Sequence, residues 1–457
     1  MVGTCLLAGC TVGPNYRRPA VTPPPVFRGG AADPASLADL KWFDVFKDEQ
    51  LQHLVRTALV QNYDLRDAVV RVEAARANLG ITRADRLPNL AASADVTTLR
   101  FSTSGSFPLP QGFSQRRTFG SVTLNMLSYE ADVWGRLHRA TEGARANLLA
   151  SDENRKAVIT TLVGDVATAY FNLLELDAEL AIAKRTLATR EDSLKLIRSR
   201  ERSGLASLLD VRQGEQLVHT AAQGIPDIER LVEQTENQIS LLLGQSPGAI
   251  PRGRPLTEQE QPLAVPPGLP SSLLERRPDI RAVEQNLIAA NALIGVARAA
   301  YFPRISLTGF LGSQSDQLSN LFTGPTGVWQ FVPQATQPIF TGGRLGSGVH
   351  LAQAQQQIAL NQYERVIQTA LREVADALVQ HQRVREVRAE RELLVATLRD
   401  RSRLAYLRYR GGVDTLLNAL DADRDLFDAE LGLAQTERDE LIALVQLYRA
   451  LGGGWQQ

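Results

Sequence analysis

The chain has 457 residues and balances 50 Lys and Arg against 50 Asp and Glu, which argues against a general nucleic-acid binder with a clustered basic surface. Its only two cysteines, Cys5 and Cys10, lie in the first ten residues, so the rest of the chain has neither a disulfide framework nor a cysteine metal site. No uninterrupted run of 18 apolar residues occurs, and the sequence therefore predicts no membrane-spanning helix.

The first residues resemble a bacterial lipoprotein signal. Leu6-Leu7-Ala8-Gly9-Cys10 places small residues directly before a cysteine, as a lipobox does. This implies cleavage before Cys10 and acylation of that residue, palmitate included, and several acyl chains anchor a protein firmly. Thr11 follows, where an aspartate would direct retention at the inner membrane. The alternative is an ordinary signal peptide with an incidental cysteine. Residues 1–9 lack a positive segment, so we expect them to be part of a longer signal.

Residues 10–47 form a predicted lipid-anchored N-terminal strap. The segment is rich in Pro, Gly and Ala and includes Pro23-Pro24-Pro25, so we expect it to be extended and to lack a core of its own. Trp42, Phe43 and Phe46 near its end predict that it docks on the body of the protein.

Two helices and a hairpin are predicted next. Residues 51–59 are amphipathic, and Asp64 is the expected N-cap of an alanine-rich helix that Pro88 ends. Residues 89–129 then change to a period of two, with Gly, Ser and Pro between the two halves. Small polar residues alternate with apolar ones, which is typical of the wall of a water-filled barrel, although a soluble hairpin with one wet face gives the same pattern.

The longest predicted element covers 132–203. Apolar residues recur there every three or four positions, close to the coiled-coil period, over about 100 Å of helix. No compact core has that length, so the helix must lie against other long helices or build a tube. A second helix is predicted at 207–244, where Pro226 should kink or interrupt it. Residues 247–270 are rich in proline and form a linker.

The second half of the chain repeats the first. Gly135-Arg136-Leu137 recurs as Gly343-Arg344-Leu345, and Leu243-Gly244 recurs as Leu451-Gly452, each 208 residues later. A constant offset over such a distance indicates an internal duplication. The predicted boundaries are 48–246 for repeat 1, 271–457 for repeat 2, 303–341 for the second hairpin, 328–340 for its last strand, and 343–409 and 415–451 for the second pair of long helices.

The four strands together cannot close a barrel. An open sheet is excluded in lipid, because the polar groups at its edges would be unpaired. If these strands lie in a membrane, several copies of the chain must share one barrel, and three copies would contribute twelve strands.

The whole order of segments resembles the TolC-like outer-membrane channel family, closest to its NodT/OprM-like lipoprotein branch, which serves resistance-nodulation-division (RND) efflux pumps. The lipobox, the duplicated architecture and three stretches carry the resemblance: Gly13-Pro14-Asn15-Tyr16, Thr341-Gly342-Gly343-Arg344 and residues 409–421. It implies an α+β membrane protein, namely a tandem-repeat, long-helix α-barrel protomer with four β-strands contributing to a shared trimeric 12-stranded outer-membrane β-barrel.

The resemblance also implies a function and partners. The expected function is the exit duct of a tripartite efflux pump, which passively conducts small toxic compounds or drugs from the periplasm to the exterior. The expected partners are two further copies of the chain in a homotrimer, a periplasmic adaptor protein, an inner-membrane RND-type transporter and outer membrane lipid. The expected location is the outer membrane, with the helices extending into the periplasm.

Three residues match the family's periplasmic gate. Asp421 matches a position where the family places a ring of aspartates that lines the closed entrance, and three like carboxylates near one axis would favour cations. The alternative for Asp421 is a solvated helix face. Tyr409 and Asp210 match positions that the family uses in links that hold the entrance closed.

Other residues near this gate depart from the family pattern. Asn418 stands where some members have a second aspartate. Asp414 stands where one member has arginine, so a particular Asp–Arg link cannot be carried over, and Arg408 or Arg410 is the candidate substitute. Asp414 is also the expected N-cap of the last helix.

No catalytic constellation, cofactor motif or metal site is apparent in the sequence, and the chain is not predicted to be an enzyme. The five histidines are scattered without ligand spacing. The first alternative function is a type I secretion exit channel for polypeptides, and the second is a soluble coiled-coil scaffold without a pore. A heavy-metal efflux duct remains open, but only two methionines give it no support.

Overall fold

The structure, a computed structural model, describes residues 11–28, 35–102, 112, 114–260 and 266–455. Cys10, the predicted lipid attachment residue, lies outside these residues. In chain order the helices and strands are α1 (Trp42–Val45), α2 (Glu49–Gln61), α3 (Tyr63–Ala84), β1 (Asn89–Arg100), β2 (Arg116–Ala131), α4 (Arg136–Arg202), α5 (Leu208–Leu242), α6 (Leu273–Arg276), α7 (Pro278–Ala299), β3 (Arg304–Ser315), β4 (Gly327–Thr336), α8 (Arg344–Arg410) and α9 (Leu416–Ala450).

The elements confirm the duplication. Helices α4 and α8 each have 67 residues, and α5 and α9 each have 35, with both pairs separated by the offset of 208. Helices α3 and α7 each have 22 residues, and strands β1 and β3 each have 12. At 1.5 Å per residue, α4 and α8 are each about 100 Å long, as the apolar period predicts.

The chain forms two compact units, and each unit takes segments from both repeats. One comprises the residues up to Ala20, Arg71–Ser151 and Val283–Tyr363, and the other comprises Val21–Val70, Asp152–Ala282 and the residues from Glu364 onward. The first unit contains an antiparallel sheet with the strand order β1-β2-β3-β4. The outer edges of β1 and β4 have no strand partner among the described residues.

The sheet has one apolar and one polar face, as the period of two predicts. On the apolar face Leu124 lies opposite Leu311, which lies opposite Trp329, and all three side chains are exposed. On the other face Ser93 and Thr123 share a hydrogen bond of 3.0 Å. Strand β4 ends at Thr336, earlier than the predicted 340, because Pro338 has no backbone N–H to donate to a strand ladder.

The N-terminal strap docks on α7 in this first unit. Arg18 forms a two-bond ion pair with Glu284, and the Tyr16 hydroxyl donates to the same carboxylate at 3.1 Å. The side-chain amide of Asn291 donates to the Pro14 carbonyl at 3.0 Å. A Cβ on Gly13 would lie 2.5 Å from the Cα of Gly295, so only glycine allows the strap to lie this close to the helix.

The second unit contains the predicted apolar stripe of α4. Val166, Tyr170 and Leu173 are fully buried, whereas Leu180 and Leu187 further along the same period are half-buried. The predicted aromatic anchor also lies here: Trp42 and Phe46 are buried, and Phe46 packs edge-on against Tyr448 with ring centroids 6.1 Å apart. By length and composition alone, one part of α4 is apolar enough to cross a membrane, but most of it is buried, as expected of a helix packed in a core.

The matching stripe of α8 is only partly buried. Tyr363, Ile367 and Val374 are buried, but Val387 and Leu394 are 47% and 49% exposed. The single chain therefore covers the apolar period of α8 only in part.

Two predictions about helix ends and interruptions are wrong. Asn62, not Asp64, is the N-cap of α3: its side-chain oxygen accepts from the Leu65 N–H at 3.0 Å, and its amide donates to the Leu242 carbonyl at 3.0 Å. The predicted interruption of α5 at Pro226 does not occur, since the helix continues through the proline, which removes only one hydrogen bond of a 35-residue ladder.

Candidate functional site

The two turns that join the long helices have the same backbone geometry. In the first, Leu205 N–H donates to the Arg200 carbonyl at 2.8 Å, and Gly204 N–H donates to Glu201 at 2.8 Å. In the second, Val413 N–H donates to the Arg408 carbonyl at 3.1 Å. This pattern is the Schellman motif, and it requires a left-handed residue, which is Gly204 or Gly412, each with φ of +72°. Both turns therefore end their helices sharply.

A small apolar cluster joins the two helical hairpins beside these turns. It consists of Leu194, Ile197, Val211, Tyr409, Leu416, Ala419 and Leu420. Gly214 allows the close approach of α5 to α4, because a Cβ there would lie 3.1 Å from both Leu194 and Ile197 side chains. Of the candidate gate residues, Tyr409 belongs to this cluster, and Asp210 and Asp421 are the sequence neighbours of its members Val211 and Leu420.

Tyr409 lies inside this cluster, with 7% of its surface exposed. Its hydroxyl is buried and has no hydrogen-bond partner among the described residues. Burial raises the pKa of the phenol, Arg200 lowers it and the charge of Asp210 raises it. A buried hydroxyl without a hydrogen-bond partner is unfavourable.

Arg200 connects the two hairpins at this point. Its guanidinium lies 4.7 Å from the centroid of the Tyr409 ring, and Nη1 donates to the carbonyls of Tyr409 and Arg410 at 3.4 and 3.5 Å. These carbonyls belong to the last turn of α8, where a cation is favourable. The side chain of Arg410 itself is exposed.

Asp210 has a local partner in the described chain. It forms a capping box at the start of α5: its carboxylate accepts from the Ser207 N–H at 2.7 Å, and the Ser207 hydroxyl accepts from the Asp210 N–H at 3.2 Å. The carboxylate also accepts from the Ser207 hydroxyl at 2.9 Å. This box holds Asp210 at the tip, next to Tyr409.

Asp414 is not the N-cap of α9, contrary to the prediction. The N-cap is Thr415, whose side chain forms no capping bond. Asp414 is the residue before this N-cap. Its carboxylate accepts from Arg408 Nε at 2.9 Å, from the Thr415 N–H at 2.8 Å and from the Asn418 amide at 2.7 Å. Arg408 therefore pairs with Asp414 inside one hairpin, and these three donors lower the pKa of Asp414.

Asp421 is a half-buried residue of α9 that directly follows Leu420 of the cluster. Its neighbours Leu420 and Ala422 are buried, whereas its own side chain is 39% exposed and lies 3.4 Å from Arg424. Asn418 is also exposed and lies three residues earlier, on the same face. An exposed ion pair of this kind contributes little to stability.

A buried ion pair above the tip was not apparent from the sequence. Arg190 of α4 and Asp423 of α9 are 3% and 8% exposed and lie 2.7 Å apart. Arg190 also donates to the Leu217 carbonyl of α5 and lies over the Phe427 ring at 5.1 Å. Burial raises the pKa of Asp423, and Arg190 opposes this shift. One arginine thus connects three helices, and only the fold brings these distant residues together.

Comparison with known proteins gives one consistent result. The model of the outer membrane efflux protein family matches residues 54–245 and 269–453. A toluene efflux pump outer membrane protein of Pseudomonas putida, TtgC, is 39% identical over 462 residues, covering 99% of this chain and 94% of that protein. The outer membrane protein OprJ of Pseudomonas aeruginosa is 40% identical over 458 residues, covering 99% and 94%.

A solved structure gives the same answer at the level of the fold. The open state of the Neisseria gonorrhoeae MtrE outer membrane channel superimposes with a TM-score of 0.88 at 35% identity, covering 98% of this chain and 99% of that chain. The predicted fold class, outer-membrane location and role as an efflux exit duct are thereby confirmed. This chain belongs to the outer membrane efflux protein family.

Proposed function

We propose that three copies of this chain form a passive duct that carries small toxic compounds out of the periplasm. An inner-membrane RND-type transporter would supply the energy, and a periplasmic adaptor protein would join it to the duct. Relatives named for the efflux of toluene, antibiotics and solvents support a small-molecule cargo. Family membership favours this function over polypeptide secretion and over a soluble scaffold.

The unpaired surfaces of the chain support a shared assembly. Strands β1 and β4 leave their outer edges without a strand partner in the described chain, and a sheet in lipid must close. On α8, Leu351 and Ile358 are 60% and 68% exposed and lie seven residues apart, as do Val387 and Leu394. Exposed apolar residues at heptad spacing are typical of helices that pack against a neighbour.

The gate is proposed at the two turns that join the long helices. Asp421 supplies a ring of three carboxylates, and Asn418 makes its neighbouring ring neutral. Tyr409 and Asp210 are the proposed members of the links that hold this entrance closed. Arg410, exposed at the end of α8, is a further candidate for such a link.

Two substitutions at Asp421 test the ring by separating charge from size. Asp421→Asn keeps the volume and removes the charge, so cation selectivity should fall with little gain in conductance. Asp421→Ala also widens the entrance, so selectivity should fall and single-channel conductance should rise. Planar-bilayer recordings measure both quantities, and the selectivity change should shrink as salt rises because the Debye length is only about 8 Å at 0.15 M.

Asp439→Asn is the matched control for this experiment. Asp439 lies on the same helix, five turns and about 27 Å further from the tip, so the same loss of charge falls outside the proposed constriction. Unchanged selectivity in Asp421→Asn at low salt, or an equal change in Asp439→Asn, would show that Asp421 does not line the entrance.

The membrane anchor is proposed to be a lipid on Cys10. The observations that support it are the lipobox-like Leu-Ala-Gly-Cys run and the docking of the following strap on α7. Each buried methylene of an acyl chain contributes about 0.8 kcal/mol, so several chains would hold this end at the membrane.

A further inference from the structure

The outer end of the β1–β2 hairpin places two arginines directly opposite each other. Arg100 is the last residue of β1 and Arg116 is the first of β2, and the register pairs them across the strands. Both side chains are exposed. Like charges at directly opposite positions are destabilising, because their Cβ atoms lie only about 5 Å apart. A pair of this kind is favourable only when an anion lies between the two charges.

The chain itself supplies no such anion in the described structure. Neither arginine forms an ion pair among the described residues, and the sequence has no acidic residue between Asp95 and Glu130. Asp316, the first acidic residue after β3, lines the same pocket as Arg116 but forms no ion pair with it among the described residues. The counter-charge of the two guanidinium groups must therefore come from outside the chain.

The position of the pair indicates the source of that charge. Arg100 and Arg116 continue the apolar face of the sheet, following Val96 and the Thr98–Thr118 pair, whose hydroxyls are 3.0 Å apart. Exposed Leu90 lies at the other end of β1. Ten residues of strand rise about 33 Å, and a tilt of 35–45° reduces this to about 25 Å, the height of the apolar band of an outer-membrane barrel.

The side of the membrane follows from the chain order. Strand β1 starts just after α3, and β2 ends just before α4, so the opposite end of this hairpin faces away from the helices. In an outer-membrane protein whose helices extend into the periplasm, that end faces the exterior. The two arginines thus lie at the boundary between the acyl chains and the headgroups of the outer leaflet.

We propose that Arg100 and Arg116 form a clamp for a phosphate group of the phosphorylated glycolipid in the outer leaflet. Guanidinium groups bind phosphate oxygens with two parallel hydrogen bonds each. The apolar column below the pair lies beside the acyl chains of the same lipid. The clamp is independent of the gate and of the cargo, and it would hold a lipid molecule against the hairpin.

The clamp is tested with the full-length protein in detergent and with lipid A as the probe. Native mass spectrometry measures the binding of lipid A with two phosphates. Arg100→Gln and Arg116→Gln should each weaken binding about five-fold, and the double variant about thirty-fold, since each arginine near a lipid surface contributes on the order of 1 kcal/mol. Dephosphorylated lipid A should bind the wild type weakly, and it should bind the arginine variants to the same extent as the wild type.

Arg117→Gln is the matched control. It removes the same charge one residue along β2, but Arg117 pairs with Leu99 and lies on the opposite face of the sheet. It should bind bisphosphorylated lipid A like the wild type. Equal weakening by Arg117→Gln would mean that only general charge matters and would overturn the clamp.

Two further measurements test the type of anion and the need for the guanidinium group. Inorganic phosphate at millimolar concentration should not displace the lipid, and displacement would assign the site to small free anions instead. Arg100→Lys with Arg116→Lys keeps the charge but loses the forked geometry, so binding should be intermediate. If all arginine variants keep their wild-type assembly and bind bisphosphorylated lipid A equally, the proposal is wrong.

Discussion

Equivalent residues of the two repeats have different partners at the candidate gate. Arg200 and Arg408 are 208 residues apart, yet Arg408 pairs with Asp414 in its own hairpin, whereas Arg200 binds carbonyls of the other hairpin. The residue equivalent to Asp414 in repeat 1 is Ala206, which has no charge to hold Arg200. Because Ala206 cannot bind Arg200 as Asp414 binds Arg408, Arg200 is able to contact the other hairpin.

Glu175 is a buried acid of α4 in an unusual electrostatic environment. Its side chain is 5% exposed and lies 3.4 Å from Arg438. Burial, followed by the hydrogen bond and charge of Glu179, raises the pKa of Glu175 to about 8. The folded protein therefore retains a proton here at pH values at which an unfolded glutamate, with its pKa of 4.5, has lost it.

This environment predicts a pH dependence of stability. Between pH 4.5 and about 8 the folded state binds more protons at Glu175 than the unfolded state, so stability should fall as pH rises. Glu175→Gln should flatten the fall in thermal unfolding midpoint between pH 5.5 and 8.5 in detergent, whereas Glu191→Gln, at an exposed site of the same helix, should keep it. An unchanged slope in Glu175→Gln would contradict the assignment.

At the scale of elements, the turns between the long helices depend on glycine. Gly412 has φ of +72°, and a Cβ there would meet no atom within 4 Å, so the constraint is in the backbone and not in packing. The adjacent Gly411 does not have a positive φ, and a Cβ there would make only ordinary contacts at 3.4 Å and beyond. The two glycines therefore form a matched pair.

We expect opposite effects of alanine at these two positions. Gly412→Ala should destabilise the tip by about 1–2 kcal/mol, because a left-handed conformation strains a residue with a Cβ. Gly411→Ala should be neutral or stabilise by up to about 1 kcal/mol, because it restricts only the unfolded chain. Hydrogen exchange of the amides that follow the turn measures the local stability. Similar protection in the two variants would argue against the Schellman geometry.

At the scale of the whole molecule, the single chain leaves surfaces that need partners. The sheet edges of β1 and β4 and the exposed heptad positions of α8 all lack cover within the described chain. Three copies would give twelve strands and would pair these edges. The proposed lipid on Cys10 would attach the assembly to the membrane without holding the copies together.

This arrangement predicts that assembly and anchoring are separable. Light scattering in detergent should give a trimer for both the wild type and Cys10→Ser, because the strands and helices hold the copies together. Only the wild type should incorporate labelled palmitate in growing cells. A stable monomer that still inserts into bilayers would exclude the shared barrel, and an unlabelled wild type would exclude the lipid anchor.

The sequence by itself determined the elements and their repetition. Periods of two and of three to four residues depend only on local geometry, so they predicted the strand faces and the bounds of the long helices to within a few residues. The glycines at the helix ends were also predictable, because the left-handed backbone that ends a helix is a local requirement on one residue. The offset of 208 then predicted that each element of one repeat has a counterpart in the other.

The tertiary structure alone decided which side chains meet. Asn62 caps α3 because its amide also reaches the end of α5, and Asp414 binds Arg408 because the turn brings the two together. The pairing of Arg190 with Asp423 joins residues 233 positions apart, and no local period encodes that distance. Such contacts depend on how the long helices lie against one another, which is set by the packing of many side chains at once.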